Sequence, residues 1–114
     1  MHPTAAIPSL ARGLFLAALA GCGTFVGGSF DDPTPQARIE AIERACASGD
    51  RRALPRIVEN LASDDAAVRM AAIGALRRMT GETLGFRFDA PEVERRAAID
   101  RWKGWLADRA ANPP

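Results

Sequence analysis

A five-residue pattern, Arg-x-x-Ala-Ile, occurs three times in this chain, at Arg38 to Ile42, Arg69 to Ile73 and Arg95 to Ile99. In a helix, positions three and four residues apart share a face, so each copy sets an arginine beside an Ala-Ile pair. The copies begin 31 and 26 residues apart, a spacing that belongs to helical solenoid units, each covering one face of its neighbour. Ala lets helices approach closely and Ile fills the space between them. The arginine is expected to reach back to acids at the previous turn.

Helix signals surround every copy. Thr34-Pro35 reads as an N-cap and first helical position, and Ile39, Ile42 and Cys46 recur at helical spacing until Ser48-Gly49. Asp50 is expected to cap a second, shorter helix with Leu54, Ile57, Val58 and Leu61 on one face, and Pro55 near its start is tolerable there. Ser63-Asp64-Asp65 caps a third, whose stripe is Val68, Ala72, Ile73, Leu76 and Met79, ending at Thr80-Gly81. Asp89-Ala90-Pro91-Glu92 reads as a capping box opening a fourth helix with Val93, Ile99, Trp102, Trp105 and Leu106. Between the last two, Thr83 to Phe88 is expected to be an extended loop standing where another first helix would be. Its Phe86 and Phe88 are expected to pack on Trp102 and Trp105 and close the stack.

The middle of the chain resembles the HEAT-repeat family in its short bacterial form. Ala53 to Leu61 looks like the family's first helix and Asp64 to Leu76 like its turn and second helix, with the turn acid Asp65 and the pair Val68-Arg69 as the most recognisable points. The resemblance implies an all-α fold, a short α-hairpin solenoid of about four helices whose usual work is holding other proteins. It is clearest from Ala53 to Thr80 and weaker on either side.

A separate signal lies at the start. Leu10 to Ala20 is apolar apart from Arg12 and Gly13, too short to cross about 30 Å of hydrocarbon as a helix, and reads as the core of a signal peptide. It ends in Leu19-Ala20-Gly21-Cys22, which resembles the lipobox of bacterial lipoproteins. That resemblance implies cleavage before Cys22, a diacylglyceryl thioether on its sulfur and an acyl chain on its new amine, together a lasting membrane anchor. Gly23, where Asp would favour inner-membrane retention in enteric bacteria, tilts the expectation toward the outer membrane, with the domain facing the periplasm or the exterior. The expected layout is a signal peptide over 1–21, a lipidated cysteine and flexible tether over 22–33, a helical domain over 34–110 and a disordered tail over 111–114. Phe25 or Phe30 is expected to tuck against the first helix.

Composition narrows the chemistry. Residues 22–114 carry 14 basic and 14 acidic side chains and no His, which removes the commonest general base and leaves no basic excess for nucleic acid. Asp31-Asp32 and Asp64-Asp65 sit where caps belong, so neither pair is read as a metal site. Cys46 falls on an apolar helix face and is read as a structural thiol, and no glycine follows a phosphate-loop pattern. The expectation is therefore no enzyme, no metal and no cofactor beyond the lipid, and a membrane-anchored protein-binding module. Arg56, Arg77 and Arg78 are expected at the rim of its contact face, with anionic lipid or an acidic partner as the minority target of the Arg pairs. Self-association through uncovered ends is the alternative. Bilin-lyase chemistry, which some short HEAT-like proteins perform, is the remote one.

Overall fold

A computed structural model describes residues 28–113, which are helical with no strand among them. Leu19, Ala20, Gly21, Cys22 and Phe25 lie outside the described residues. Helix α1 spans Pro35–Ser48, a 3₁₀ turn Arg51–Ala53 leads into α2 at Leu54–Asn60, α3 spans Ala66–Thr80 and α4 spans Glu92–Ala111. The fold is the short all-α hairpin stack that the recurring pattern implies.

The caps account for the boundaries. α1 ends at Gly49 in the left-handed region (φ 65°), and the Asp50 N–H donates to the Ala45 carbonyl at 3.0 Å, closing the last turn. Asp65 caps α3 by accepting from the Ala67 and Val68 N–H groups at 2.8 and 3.1 Å. Two expected caps differ. Asp50 accepts from the Arg52 N–H and so caps the 3₁₀ turn rather than α2, which begins beyond it with Pro55 in its first turn. At α4 there is no capping box: the helix starts at Glu92 with Pro91 at the cap position and ψ of 150°. Proline disfavours helical backbone at the preceding Ala90, so Asp89 cannot stand at a helix start. Its carboxylate lies 3.6 Å from Arg87 instead.

Packing follows the Ala-Ile pairs. Ala41, Ile42, Ala72, Ala98 and Ile99 are buried, Ile73 is half-buried, and one core joins Ile42, Ala72, Ala98 and Ile99 to Leu54, Ile57, Val58, Leu61, Val68, Leu76 and Trp102. α1 packs along α3, α2 pairs with α3 as a hairpin, and α4 lies against α2. This last placement exchanges two expected roles. The 81–91 connection runs back along α3, bringing the Phe88 carbonyl to Arg69 in the first turn of that helix. α4 therefore begins beside the start of α3 and returns antiparallel to α2, so the loop flanks the second helix of the hairpin and α4 flanks the first.

Trp102 locks that arrangement. Its side chain is fully buried, worth on the order of 5 kcal/mol before entropy is counted, and its Nε1–H donates to the Thr83 carbonyl at 3.0 Å. Trp105 meets it edge-on with ring centroids 5.4 Å apart, and Phe86 is buried in the same core, with Phe88 half-buried against it. Arg101 Nε donates to the Leu84 carbonyl at 2.7 Å, and the guanidinium lies against Gly85, whose φ is 78°. A Cβ there would stand 2.9 Å from the Arg101 terminal nitrogen. Gly85→Ala is therefore expected to lower stability by about 1–2 kcal/mol through backbone strain and a displaced Arg101, measured by urea unfolding.

Candidate protein-binding site

The three pattern arginines act alike, though not as expected. Arg38 Nε donates to the Asp32 carbonyl (2.7 Å), Arg69 Nη1 to the Ser63 and Asp64 carbonyls (2.9 and 3.0 Å), and Arg95 Nε to the Ala90 carbonyl (3.0 Å). Each half-buried side chain reaches back five or six residues to the backbone of the loop leading into its own helix. The acids are not the partners, because the carboxylates of Asp32 and Asp65 already accept backbone N–H groups. Asp65, Val68 and Arg69 thus form the start of α3: a cap, a fully buried contact and a loop clamp.

With those arginines committed inward, the remaining ones define the surface. Arg56 on α2 pairs with Asp31 and lies 5.7 Å above the Phe30 ring. Its Nε is 3.0 Å from Glu59 but not aligned for a hydrogen bond, so that contact is Coulombic. Arg78 on α3 points to α1, donating from Nε to the Cys46 sulfur at 3.2 Å with Glu43 at 3.4 Å. The sulfur and Glu43 hold the Arg78 pKa above its usual range. Cys46 is a half-buried free thiol. Arg56 and Arg78 are therefore occupied within the domain, on different helices and with different partners.

Arg77 is different. It is exposed and lines a groove of about 340 Å³ formed by Met70, Ile73 and Gly74 of α3 with Phe86, Arg87 and Phe88 of the loop. Met70 is 52% exposed, one of two large apolar side chains so open among the described residues. The groove follows from the path of the loop, which covers the α3 flank less completely than a helix would. Asp89 also lines the groove and lies 3.6 Å from Arg87, so Arg77 is the guanidinium left beside the apolar floor, which suits a partner side chain that is apolar with a carboxylate nearby. Sequence reading found Arg77 and missed Met70, which lies off the apolar stripe of α3. An apolar residue on the polar side of a helix was the available signal.

The chain entering the domain is fixed earlier than the expected tether allows. The Ser29 N–H donates to the Ala37 carbonyl at 3.1 Å, Phe30 packs against the core, and Asp31 pairs with Arg56. Asp32 Oδ1 accepts from both the N–H and the hydroxyl of Thr34, at 2.8 and 2.7 Å, so Thr34 occupies the cap position of α1 without capping it through its side chain. Residues 28–33 are thus part of the folded unit.

An all-helical hairpin stack with one half-covered flank defines a small α-solenoid protein. The sequence profile of HEAT repeats matches residues 28–100, and the chain belongs to that family, whose repeats commonly serve as protein-interaction scaffolds. No curated protein and no solved structure matches it.

The Asp32 contacts carry a pH dependence. Its hydrogen bonds to Thr34 hold the carboxyl below 3.8, so their contribution is present above that value and is lost as pH falls through the lower folded pKa. The Thr34 amide resonance is expected to titrate with a midpoint below 3.8, and Asp32→Asn should remove that titration.

Proposed function

We propose that the protein is a bacterial lipoprotein, anchored through Cys22, whose HEAT-repeat domain holds a partner protein at the membrane surface through the α3 groove. The observation that carries the binding reading is the groove itself: Met70 exposed beside Ile73 and Phe88, bordered by Arg77 and by the Arg87–Asp89 pair. The anchor reading rests on Leu19-Ala20-Gly21-Cys22 at the end of an apolar run. Among the described residues no helix is long and apolar enough to cross a membrane.

A photoreactive residue at position 70, irradiated in native membranes, is expected to give one discrete adduct. The same residue at exposed position 96 should give none. Arg77→Glu should weaken adduct formation about tenfold, the loss of one charge-assisted contact plus repulsion, and Cys22→Ser should let a high-salt wash move the chain to the soluble fraction. An adduct pattern identical at positions 70 and 96 removes the groove, and a Cys22→Ser chain that stays on the membrane through that wash with unchanged mass removes the anchor.

A further inference from the structure

A second surface lies away from the α3 groove, where the 3₁₀ turn and the start of α2 face the C-terminal half of α4. Arg51, Arg52 and Arg109 stand around a cleft of about 290 Å³ whose floor is Leu54, Pro55, Trp105 and Leu106. No carboxylate lines it. In a domain whose charges otherwise balance, three guanidiniums without a lining acid form a local positive field. Their internal contacts leave donors over: Arg51 uses one Nη1–H on the Met79 carbonyl (3.1 Å), and Arg52 uses Nε on Asp50 (3.2 Å). Arg109 is stacked on Trp105, its Cζ 4.3 Å from the ring centroid. Stacking holds the guanidinium plane and leaves its edge free for an anion.

We propose that this cleft binds the phosphate of anionic phospholipids on the membrane that holds Cys22. Guanidinium forks match phosphate oxygens, and a half-buried tryptophan suits the boundary between headgroup and hydrocarbon. The cleft is at the small end of ligand cavities, right for a headgroup and not for an enclosed acyl chain. Its position agrees. Gly28 lies against α1 beside Glu40 and Arg44, and Phe30 and Asp31 sit on Arg56, four residues on from Arg52. Five residues lie between Cys22 and Gly28, and whatever their conformation the six steps of chain span at most about 22 Å. A domain held that closely presents the face where its chain enters to the lipid, and this orientation rests on the anchor proposed above. Bound this way, the domain has a fixed attitude on the membrane in place of free rotation about a tether.

The test uses the full chain carrying Cys22→Ser, mixed with vesicles of phosphatidylcholine alone or with added phosphatidylglycerol, the bound fraction being read by flotation. Residues 1–21 are present in every variant and binding to the phosphatidylcholine vesicles measures their share, so the excess binding to the phosphatidylglycerol vesicles is what isolates the cleft and is the binding compared below. Binding to the phosphatidylglycerol vesicles is expected to fall with salt. Each arginine near an anionic surface is worth about a fivefold factor, so Arg52→Gln with Arg109→Gln should weaken it about 25-fold. The paired Arg→Lys variant should keep most of it, which separates loss of charge from loss of fold. Equal binding by the parent and the Gln pair overturns the proposal, as does salt-insensitive binding of the parent. A shift of Trp emission with a poly-glutamate peptide, absent with vesicles and absent in Trp105→Phe, also overturns it, in favour of an acidic protein ligand. The mass of the wild-type chain from native membranes reports acylation of Cys22 independently. An unmodified cysteine with arginine-sensitive vesicle binding ends the anchor and upholds the cleft, whereas an acylated cysteine with arginine-insensitive binding ends the cleft alone.

Discussion

One guanidinium holds the two connections on which this small stack depends. Arg69 donates to the Ser63 and Asp64 carbonyls of the turn between α2 and α3 and, through Nε at 3.0 Å, to the Phe88 carbonyl of the loop before α4. Those carbonyls have no helix or sheet N–H to donate to them, and leaving a buried acceptor unpaired costs about 1–3 kcal/mol; the Ser63 and Phe88 bonds are partly buried. A planar cation with five fixed donors satisfies three of them from a single side chain. The direction of α4 follows, because the point where the loop meets Arg69 is where α4 must begin. Arg38 and Arg95 repeat the device once each at their own loops.

From that constraint come both surfaces. The loop returns along α3, so that flank is covered by Phe86 and Phe88 in place of a helix and keeps a groove open at Met70 and Arg77. α4 returns along α2, so its C-terminal half meets the 3₁₀ turn and sets Arg109 and Trp105 beside Arg51 and Arg52. One hairpin unit with partial neighbours has no room for the long concave surface of larger repeat arrays. It has two short faces, and the chain enters beside one of them.

Much of the fold was legible in the sequence. Helix ends at Gly49 and Gly81, the Asp65 cap and the burial of the Ala-Ile pairs, apart from the half-buried Ile73, follow from local rules that depend only on neighbouring residues. What local rules missed is long-range. The four-residue box at Asp89 satisfies a sequence pattern, yet Pro91 decides the backbone there. The pattern arginines were matched to acids by charge, but Asp32 and Asp65 are engaged with N–H groups two or three residues on, and the loop carbonyls that the arginines take are invisible as sequence. Of Arg56, Arg77 and Arg78, charge alone could not say that two are spent on Asp31, Cys46 and Glu43. Phe30 was one of two aromatics expected to tuck in, but composition rich in Gly and Asp reads as linker and could not say that Asp31 and Asp32 also fix the segment before α1.

The clamp is tested most directly by urea unfolding of two variants at the same turn, Arg69→Lys and Asp64→Asn. Lysine keeps the charge but lacks the fork that reaches three carbonyls, so Arg69→Lys should cost about 2 kcal/mol. Asp64 contributes its backbone carbonyl, which asparagine also has, so Asp64→Asn should change stability by less than about 0.5 kcal/mol. A large loss from Asp64→Asn with little from Arg69→Lys would mean that the carboxylate, and not the loop backbone, is what the arginine holds.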